Sequence, residues 1–192
     1  LDDENRKSLI VTAREEADRL NRLVGNLLSM TRIESGAIQL HLEPGDIQDL
    51  IGTALDQLGR RIAHRKVQVD MPDDFPLVPM DFTLMVQVLV NVLENAVKYS
   101  PEYCAIEVSA ELLDEKTRLK IADRGEGIPP DDLSRVFDKF YRVQRPDSVS
   151  GTGLGLSISK GIVEAHNGNI QALRREGGGT IIQIELPLKP AE

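Results

Sequence analysis

Apolar residues return every three or four positions through the first 30 residues of the chain. This spacing marks one face of an α-helix, and only Gly25 interrupts the helix-compatible residues. We predict one long helix over residues 1–36, which Gly36 would end. Its apolar face packs either on the domain that follows or against a helix of the same or a second chain, and its length favours a partner helix. The apolar positions are Leu9, Ala13, Ala17, Leu20, Leu23, Val24, Leu27 and Met30.

From residue 37 the pattern changes to short alternating segments and further helical stretches. Predicted strands cover residues 38–42, 67–71, 77–80, 104–112, 117–123, 169–175 and 180–187, and predicted helices cover 47–64, 82–99 and 153–166. Asp46 and Asp81 are expected to cap the first two of these helices. Because short turns join neighbouring strands, we predict an α+β two-layer sandwich, with a mixed sheet covered by helices on one face. The predicted domains are residues 1–36 and 37–192.

Composition narrows the classes of protein that remain. The 192 residues suffice for one domain and a small extra element. A net charge of −8 argues against nucleic acid as a partner, and no apolar run approaches the roughly 20 residues of a membrane helix. The single cysteine, Cys104, fits a reducing compartment. Because the chain begins at Leu1 without a methionine, we expect it to be a piece of a longer protein.

Three polar residues share one face of the predicted helix 82–99. Asn91, Asn95 and Lys98 are spaced by four and three positions, which places them on the same side. An asparagine carbonyl oxygen suits Mg²⁺, and Lys98 can neutralise a phosphate. The alternative is a hydrogen-bonded helix end with a solvated lysine, and the spacing alone leaves both open.

A carboxylate follows the predicted strand 117–123. Asp123 precedes Gly125 and Gly127, and glycines let the backbone approach a flat ligand closely. A carboxylate held there can accept a hydrogen bond from an exocyclic amine such as that of adenine. An ordinary Asp-Gly turn is the alternative.

Three alternate glycines, Gly151, Gly153 and Gly155, open the predicted helix 153–166. The free amides and the dipole of a helix N-terminus favour an anion there. The dinucleotide-binding pattern fails because Leu156 occupies the place of its last glycine, and the Walker pattern lacks its lysine.

A long excursion over residues 125–152 separates the two glycine motifs, with one short helical piece near 133–137. A loop of this length in a compact domain is typical of a lid. Phe137, Phe140 and Tyr141 are expected to hold its first half to the domain. Arg142 and Arg145 can reach phosphate oxygens, although Arg145 is as readily explained as surface charge.

Taken in order, four motifs resemble the N, G1, F and G2 boxes of bacterial sensor histidine kinases. They read Asn91-Val-Leu-Glu-Asn95-Ala-Val-Lys98-Tyr99-Ser100, Asp123-Arg-Gly125-Glu-Gly127-Ile128, Phe137-Asp-Lys-Phe140-Tyr141-Arg142 and Gly151-Thr-Gly153-Leu-Gly155-Leu156. The resemblance covers residues 40–190, and Gly178-Gly179-Thr180 is similar to a further glycine-threonine box near the adenine. Residues 27–36 resemble the end of the second dimerisation helix, most closely that of the potassium-responsive Kdp-type kinases.

The resemblance implies the ATP-binding sandwich shared by histidine kinases, gyrase-type ATPases and Hsp90. It implies ATP and Mg²⁺ as cofactors, with Asn95 on the metal, Asp123 on the adenine amine and a lid over residues 129–152. The implied catalytic candidates are Asn91, Glu94, Lys98 and Arg142. The implied nucleotide-binding residues are Asn91, Asn95, Lys98, Tyr99, Asp123, Gly125, Gly127, Ile128, Phe140, Arg142, Gly151, Thr152, Gly153, Leu154, Gly155, Leu156 and Thr180.

One part of the family pattern is missing, the phosphoacceptor histidine followed by an acidic residue and a Thr-Pro or Asn-Pro pair. His41, His64 and His166 are scattered, and we interpret them as surface or packing residues. The acceptor is therefore expected upstream of Leu1, so this chain would bind Mg-ATP or ADP without phosphorylating itself.

For the longer protein, the resemblance implies a cytoplasmic portion of a membrane-anchored, homodimeric sensor kinase. Its phosphoryl group would pass to the upstream histidine and then to an aspartate of a response-regulator receiver domain. The alternatives are an ATPase or serine kinase on the same sandwich, and a nucleotide-sensing dimerisation module without chemistry.

Overall fold

The computed structural model describes residues 39–143 and 152–189, and in the N-terminal part residues 5, 9, 10, 12, 13, 17, 20 and 24–31. Two compact units divide the chain, Leu1–Ile38 and Gln39–Glu192. In the first unit every described position is helical, and we call the continuous stretch 24–31 α1. The predicted end of this helix at Gly36 lies outside the described residues. The apolar side chains of this unit that are about half exposed or more are Leu9, Ile10, Leu20, Val24, Leu27 and Leu28.

The second unit carries the remaining elements. They are β1 (Glu43–Gly45), α2 (Ile47–Leu58), β2 (Val67–Asp70), β3 (Val78–Met80), α3 (Phe82–Tyr99), β4 (Ile106–Leu113), β5 (Lys116–Ala122), α4 (Gly155–Ala165), β6 (Asn169–Arg174) and β7 (Thr180–Pro187). Short 3-10 turns lie at Gly59–Arg61, Pro130–Asp132 and Arg135–Phe137. The predicted helical piece near residues 133–137 is therefore a single tight turn.

Among the described residues, five strands form one mixed sheet in the order β2-β4-β5-β7-β6. β2 runs parallel to β4, and the other neighbours are antiparallel. Apolar residues of one face are buried, such as Ile106 and Val108 of β4 and Leu119 of β5. In the helical layer α3 contacts both α2 and α4, and it also contacts β5 of the sheet. The predicted two-layer α+β sandwich is confirmed.

Two boundary predictions in the first third of this unit were wrong. A strand was expected over residues 38–42, but the strand is Glu43–Gly45, where a turn was expected. It forms because Glu43 pairs with Met80 in a small antiparallel ribbon with β3. The helix that Asp46 caps ends at Leu58, not at residue 64, because Gly59 adopts a φ of 47° that other residues rarely take.

A buried histidine joins the start of α3 to the end of α4. His166 is 3% exposed, and its Nε2 accepts the backbone N–H of Asp81 at 2.9 Å. Its Nδ1 lies 2.8 Å from the carbonyl oxygen of Ile162, so the neutral ring carries its proton on Nδ1. The interpretation of His166 as a packing residue is confirmed.

The outer face of the sheet carries ion pairs across neighbouring strands. Arg118 of β5 lies between Glu111 of β4 and Glu185 of β7, at 3.1 and 2.7 Å. Glu107, on the same face of β4, accepts from Arg175 at 2.6 Å and from Arg124 at 3.1 Å. The hydrogen bond from Arg175 holds the pKa of the Glu107 carboxyl below its usual range, against the opposing effect of burial.

We expect Glu107→Gln to lower the free energy of unfolding at pH 7 by at most about 1 kcal/mol, because the partly exposed pair with Arg175 is lost. A carboxyl with a lowered folded-state pKa stabilises above the ordinary value of 4.5, and this contribution disappears as the pH falls through the folded-state value. Urea unfolding at pH 7 and at about pH 4 should therefore show the difference from wild type shrinking on acidification.

The matched control is Glu115→Gln, whose carboxylate pairs at 3.8 Å with Lys189 while both side chains are largely exposed. It should leave stability unchanged at both pH values. A Glu107→Gln difference that grows at low pH would contradict the role of the ionised carboxylate.

Candidate functional site

The polar side of α3 meets the beginning of α4. Asn91 donates from Nδ2 to the carbonyl oxygen of Gly155 at 3.3 Å and, at 3.5 Å, to Oγ of Ser159. The serine in turn donates to the same carbonyl oxygen at 3.0 Å. The first and the last of the predicted motifs are therefore in contact, and Asn91 helps to fix their spacing.

Asn95 and Lys98 follow Asn91 on the same face of α3, one and two helical turns further along. In the part of the chain that the structure describes, the Asn95 amide makes no hydrogen bond and the residue is half-buried. Lys98 donates from Nζ to the Tyr99 hydroxyl at 2.9 Å and lies 4.6 Å from the centre of that ring. This end of α3 therefore presents an amide and an ammonium group on one side.

Asp123 immediately follows β5 and is 8% exposed. Its Oδ1 accepts two backbone N–H groups, from Gly125 at 2.8 Å and from Thr180 at 3.2 Å. Its own backbone N–H donates to the Thr180 carbonyl oxygen at 2.9 Å. Since Oδ1 is held from two sides, the plane of the carboxylate is fixed by backbone groups of β7 and of the loop after β5.

Gly125 connects this carboxylate to α3. A Cβ added at Gly125 would lie far inside van der Waals contact of the Tyr99 carbonyl oxygen, and within 3.1 Å of Oδ1 of Asp123. The loop after β5 can therefore lie against the end of α3 only because position 125 has no side chain. The same residue donates its N–H to Asp123, so one close approach sets both contacts.

The two ends of the described lid region meet at Phe140 and Gly153. Phe140 donates its N–H to the Gly153 carbonyl oxygen at 3.0 Å and has a φ of 61°, which is unusual for a bulky residue. Its ring is 65% exposed, so the expectation that it holds the lid to the domain was wrong. The ring points outward from this strained backbone, and the Phe140 N–H joins the two ends of the lid region.

Of the other two aromatic residues, Phe137 holds the lid to the domain through the contact of its 3-10 turn with α4, while the described contacts of Tyr141 are with residues of the lid itself. Phe137 is buried, and Tyr141 donates its hydroxyl to Oδ1 of Asp132 at 2.5 Å. Arg135 lies 4.4 Å from the centre of the Tyr141 ring. The hydrogen bond to Asp132 raises the pKa of the Tyr141 hydroxyl.

The N-terminus of α4 has no side-chain cap. Leu154 precedes the helix and is buried, and its backbone N–H donates to Oγ1 of Thr152 at 3.3 Å. Gly155 and Leu156 begin the first turn, and both are half-buried. The first amides of this helix are thus available to an anion. Gly151 and Arg145 lie outside the described residues.

Comparison with known proteins identifies the family of this fold. Residues 80–190, more than half of the chain, match the family described as histidine kinase-, DNA gyrase B- and HSP90-like ATPases. The chain belongs to this family. The predicted family and the predicted ATP-binding catalytic region are confirmed, and the roles of single site residues stay predictions.

Sensor kinases are similar to this ATPase-family chain over nearly its full length. The sensor protein KdpD of Clostridium acetobutylicum is 34% identical over 189 residues, which are 97% of this chain and 21% of that protein. Full-length ShkA in complex with AMPPNP is 28% identical with a TM-score of 0.80, over 97% of this chain and 40% of ShkA. The histidine kinase ThkA in complex with the response regulator protein TrrA is 25% identical with a TM-score of 0.77, over 99% of this chain and 53% of that chain.

The chain spans about a fifth to a third of the length of the first curated relatives it matches. Within its described residues no helix is long and apolar enough to cross a membrane. The structure of this ATPase-family chain therefore describes the nucleotide-binding unit and part of a preceding helix.

Three predicted site residues of this ATPase fold have other surroundings than the sequence suggested. Glu94 forms an ion pair with Arg61 of the 3-10 turn after α2. This ion pair explains a glutamate at position 94 without a catalytic role. Arg142 is exposed, close to the end of the described stretch 39–143. Ile128 lines a cavity of about 330 Å³ beside the loop after β5. The other residues around that cavity are Glu126, Gly127, Pro129, Pro130, Arg174, Arg175, Gly178 and Gly179.

Sequence reasoning missed Arg175, which supports the Asp123 segment from behind. Its side chain is 11% exposed, and its Nη1 donates to the Asp123 carbonyl oxygen at 3.1 Å while Nη2 bonds Glu107. Its position before the glycine run 177–179 gave no signal, because the contact depends on the pairing of β6 with β7.

We expect Gly125→Ala to lower the free energy of unfolding by about 1–3 kcal/mol, because the new methyl group collides with backbone at the end of α3. Urea unfolding measures the change. The matched control is Gly52→Ala in α2, where a Cβ meets nothing within 4 Å and should raise stability by about 0.5–1 kcal/mol. Equal stability of Gly125→Ala and wild type would contradict the close approach.

Proposed function

We propose that this chain binds ATP together with Mg²⁺ and serves as the phosphoryl donor unit of a sensor histidine kinase. The γ-phosphoryl group would pass to a histidine upstream of Leu1 in the longer protein, and from there to an aspartate of a response-regulator receiver domain. The longer protein would be a homodimer that pairs through the helix predicted over residues 1–36, and its cytoplasmic portion would contain this chain.

The observation that carries the proposal is the fixed carboxylate of Asp123. An acceptor whose plane is set by the N–H groups of Gly125 and Thr180 can select a ligand by the direction of its donor. The exocyclic amine of adenine is such a donor. A site built around a hydrogen bond of this kind rejects analogues that lack the donor, since a buried carboxylate is then left with a poorer partner.

Phosphate and metal groups would bind toward α4. The described residues contain no cluster of three or more histidine, cysteine, aspartate or glutamate residues that could hold a metal ion. A divalent cation would then take one amide oxygen from Asn95 and its other ligands from phosphates and water, which is the usual environment of Mg²⁺. When bound, Mg²⁺ neutralises charge on the phosphate oxygens.

The residues of the chain itself position the phosphates. Lys98 contributes a positive charge beside Asn95, and the uncapped first turn of α4 contributes backbone N–H groups. Asn91 is bonded to Gly155, which keeps the spacing between these two helices constant. Phosphoryl transfer depends mainly on positioning and charge neutralisation, so these groups suffice for a donor site.

The acceptor would lie outside this chain. Both ring nitrogens of His166 are engaged with backbone groups, and the ring is buried. His41 and His64 are exposed, and neither belongs to the family's acceptor motif. The ThkA complex with a response regulator supports a receiver domain as the second acceptor, since the ThkA chain is similar over 99% of the present one.

We expect Asp123→Asn to weaken ADP binding by about tenfold or more while the fold persists, because an amide presents a donor where the adenine amine needs an acceptor. Titration calorimetry measures the affinity, and thermal unfolding checks the fold. The control is Asp114→Asn in the exposed β4–β5 turn, which should bind as wild type does. Unchanged affinity of Asp123→Asn would remove adenine recognition from this residue.

We expect Asn95→Ala to reduce the gain in ADP affinity that Mg²⁺ provides, because one oxygen ligand is lost. Calorimetry with Mg²⁺ and with EDTA separates this effect from nucleotide binding as such. Asn169→Ala, an exposed position at the start of β6, is the control. If the Mg²⁺-dependent gain is the same in Asn95→Ala and wild type, Asn95 is not the metal ligand.

Incubation of this chain with γ-labelled ATP should give no acid-labile phosphate, because no histidine here is placed as an acceptor. Supplying the upstream segment on the same polypeptide should restore labelling at its own histidine. Acid-labile label on His41, His64 or His166 of the chain alone would refute the assignment of a donor unit without an acceptor.

A further inference from the structure

Arg65 binds the carbonyl groups at the end of α3. It lies just before β2 and is half-buried. Its Nη2 donates to the carbonyl oxygens of Val97 at 2.6 Å and Ser100 at 2.5 Å. Its Nη1 donates to Oγ of Ser100 at 3.1 Å and to the carbonyl oxygens of Pro101 and, at 3.3 Å, Cys104. One guanidinium group thus gathers the last turn of α3 and the segment that follows.

These contacts replace partners that a helix end lacks. The last carbonyl groups of an α-helix have no intrahelical donor, and a cation there also opposes the negative end of the helix dipole. Pro101 has no N–H and Ser100 is extended, so the chain does not continue the ladder. A flat fork with several N–H donors suits this cluster, whereas a lysine supplies a single point of charge.

The end of α3 that Arg65 fixes is also the surface on which Gly125 lies. The Tyr99 carbonyl group stands between those of Val97 and Ser100 in the chain, and Gly125 packs directly on its oxygen. Gly125 in turn donates its N–H to Oδ1 of Asp123 at 2.8 Å. Three consecutive contacts therefore connect the Arg65 guanidinium to the carboxylate.

We propose that Arg65 is a positioning residue for base selectivity, because it holds the helix end that sets the place of Gly125 and so the direction of the Asp123 carboxylate. This inference rests on the proposed binding of an adenine nucleotide. None of the hydrogen bonds that Arg65 makes among the described residues goes to a residue assigned to the phosphates, although Lys98 lies on the same turn of α3. Its removal should therefore act more strongly on the recognition of the base than on that of the phosphates.

If Arg65 only capped the end of α3, its replacement would have a different effect. It would lower the stability of the domain and leave the preference among bases unchanged, as any distant core truncation does. Leu186→Ala provides that comparison, because Leu186 is buried near the far end of β7, six residues from Thr180. At about 3.3 Å per residue the two positions are roughly 20 Å apart.

The test compares wild type, Arg65→Met, Arg65→Lys and Leu186→Ala at a temperature at which all four are folded. Calorimetry gives the affinities for ADP and for inosine diphosphate, in which an oxygen replaces the exocyclic amine. We expect wild type and Leu186→Ala to share one ADP preference, and Arg65→Met to lose about fivefold or more of it. Arg65→Lys should be intermediate, since its ammonium group reaches fewer carbonyl groups.

Amide hydrogen exchange without nucleotide gives a second, independent measurement. In Arg65→Met, exchange of residues 123–127 should become faster than in wild type and in Leu186→Ala, because the support of Gly125 is lost. This result does not depend on nucleotide binding. If wild type failed to bind ADP, both the proposed function and the role of Arg65 in base selectivity would be refuted. Faster exchange in Arg65→Met would still show that Arg65 holds the Gly125 segment in place.

Two results for Arg65→Met overturn the inference while the proposed function stands. One is wild-type ADP binding with the same ADP preference in Arg65→Met as in Leu186→Ala. The other is unchanged exchange of residues 123–127 in Arg65→Met. A wild-type protein that binds both nucleotides equally also overturns it, since there is then no selectivity for Arg65 to maintain.

Discussion

The site depends on one close approach, that of the Gly125 backbone to the carbonyl oxygen of Tyr99. It joins the end of the central helix to the loop that leaves the central strand of the sheet. Through the Gly125 N–H, this contact also orients Asp123, whose other backbone donor is Thr180 on the next strand. Helix layer and sheet layer thus share one junction, and the carboxylate lies at it. A change in the position of either layer therefore changes the direction of the carboxylate.

Acidic side chains are distributed unevenly over this domain, and this distribution leaves the junction accessible to a polyanion. The chain carries a net charge of −8, yet in the described part of the chain three acidic side chains on the outer face of the sheet are paired with basic ones, among them Glu107 with Arg175 and Glu185 with Arg118. The polar side of α3 presents the amides of Asn91 and Asn95 and the ammonium group of Lys98 instead. An acidic protein can hold a nucleotide in this way, through local donors and a metal, because charges beyond about 8–10 Å are screened by salt.

The sequence allowed the sandwich and its motifs to be predicted, since both depend on local periodicity and on residue types at fixed spacing. The helix over residues 82–99 was predicted with its exact ends, because Asp81 caps it and Ser100-Pro101 stops it. Contacts between distant segments were not predictable. The strand at Glu43–Gly45 exists through its pairing with β3, and Arg65 meets α3 across 32 residues of sequence. Neither leaves a periodic signal.

The central claim is that adenine nucleotide binds at the junction of α3, the loop after β5 and α4. Chemical-shift mapping by NMR of the isotope-labelled chain during titration with Mg-ADP tests it most directly. We expect the largest chemical-shift changes at the backbone amides of Gly125, Thr180 and Gly155 and at the side-chain amides of Asn91 and Asn95. Shifts confined to the cavity beside Pro129 and Arg174, or absent altogether, would contradict it.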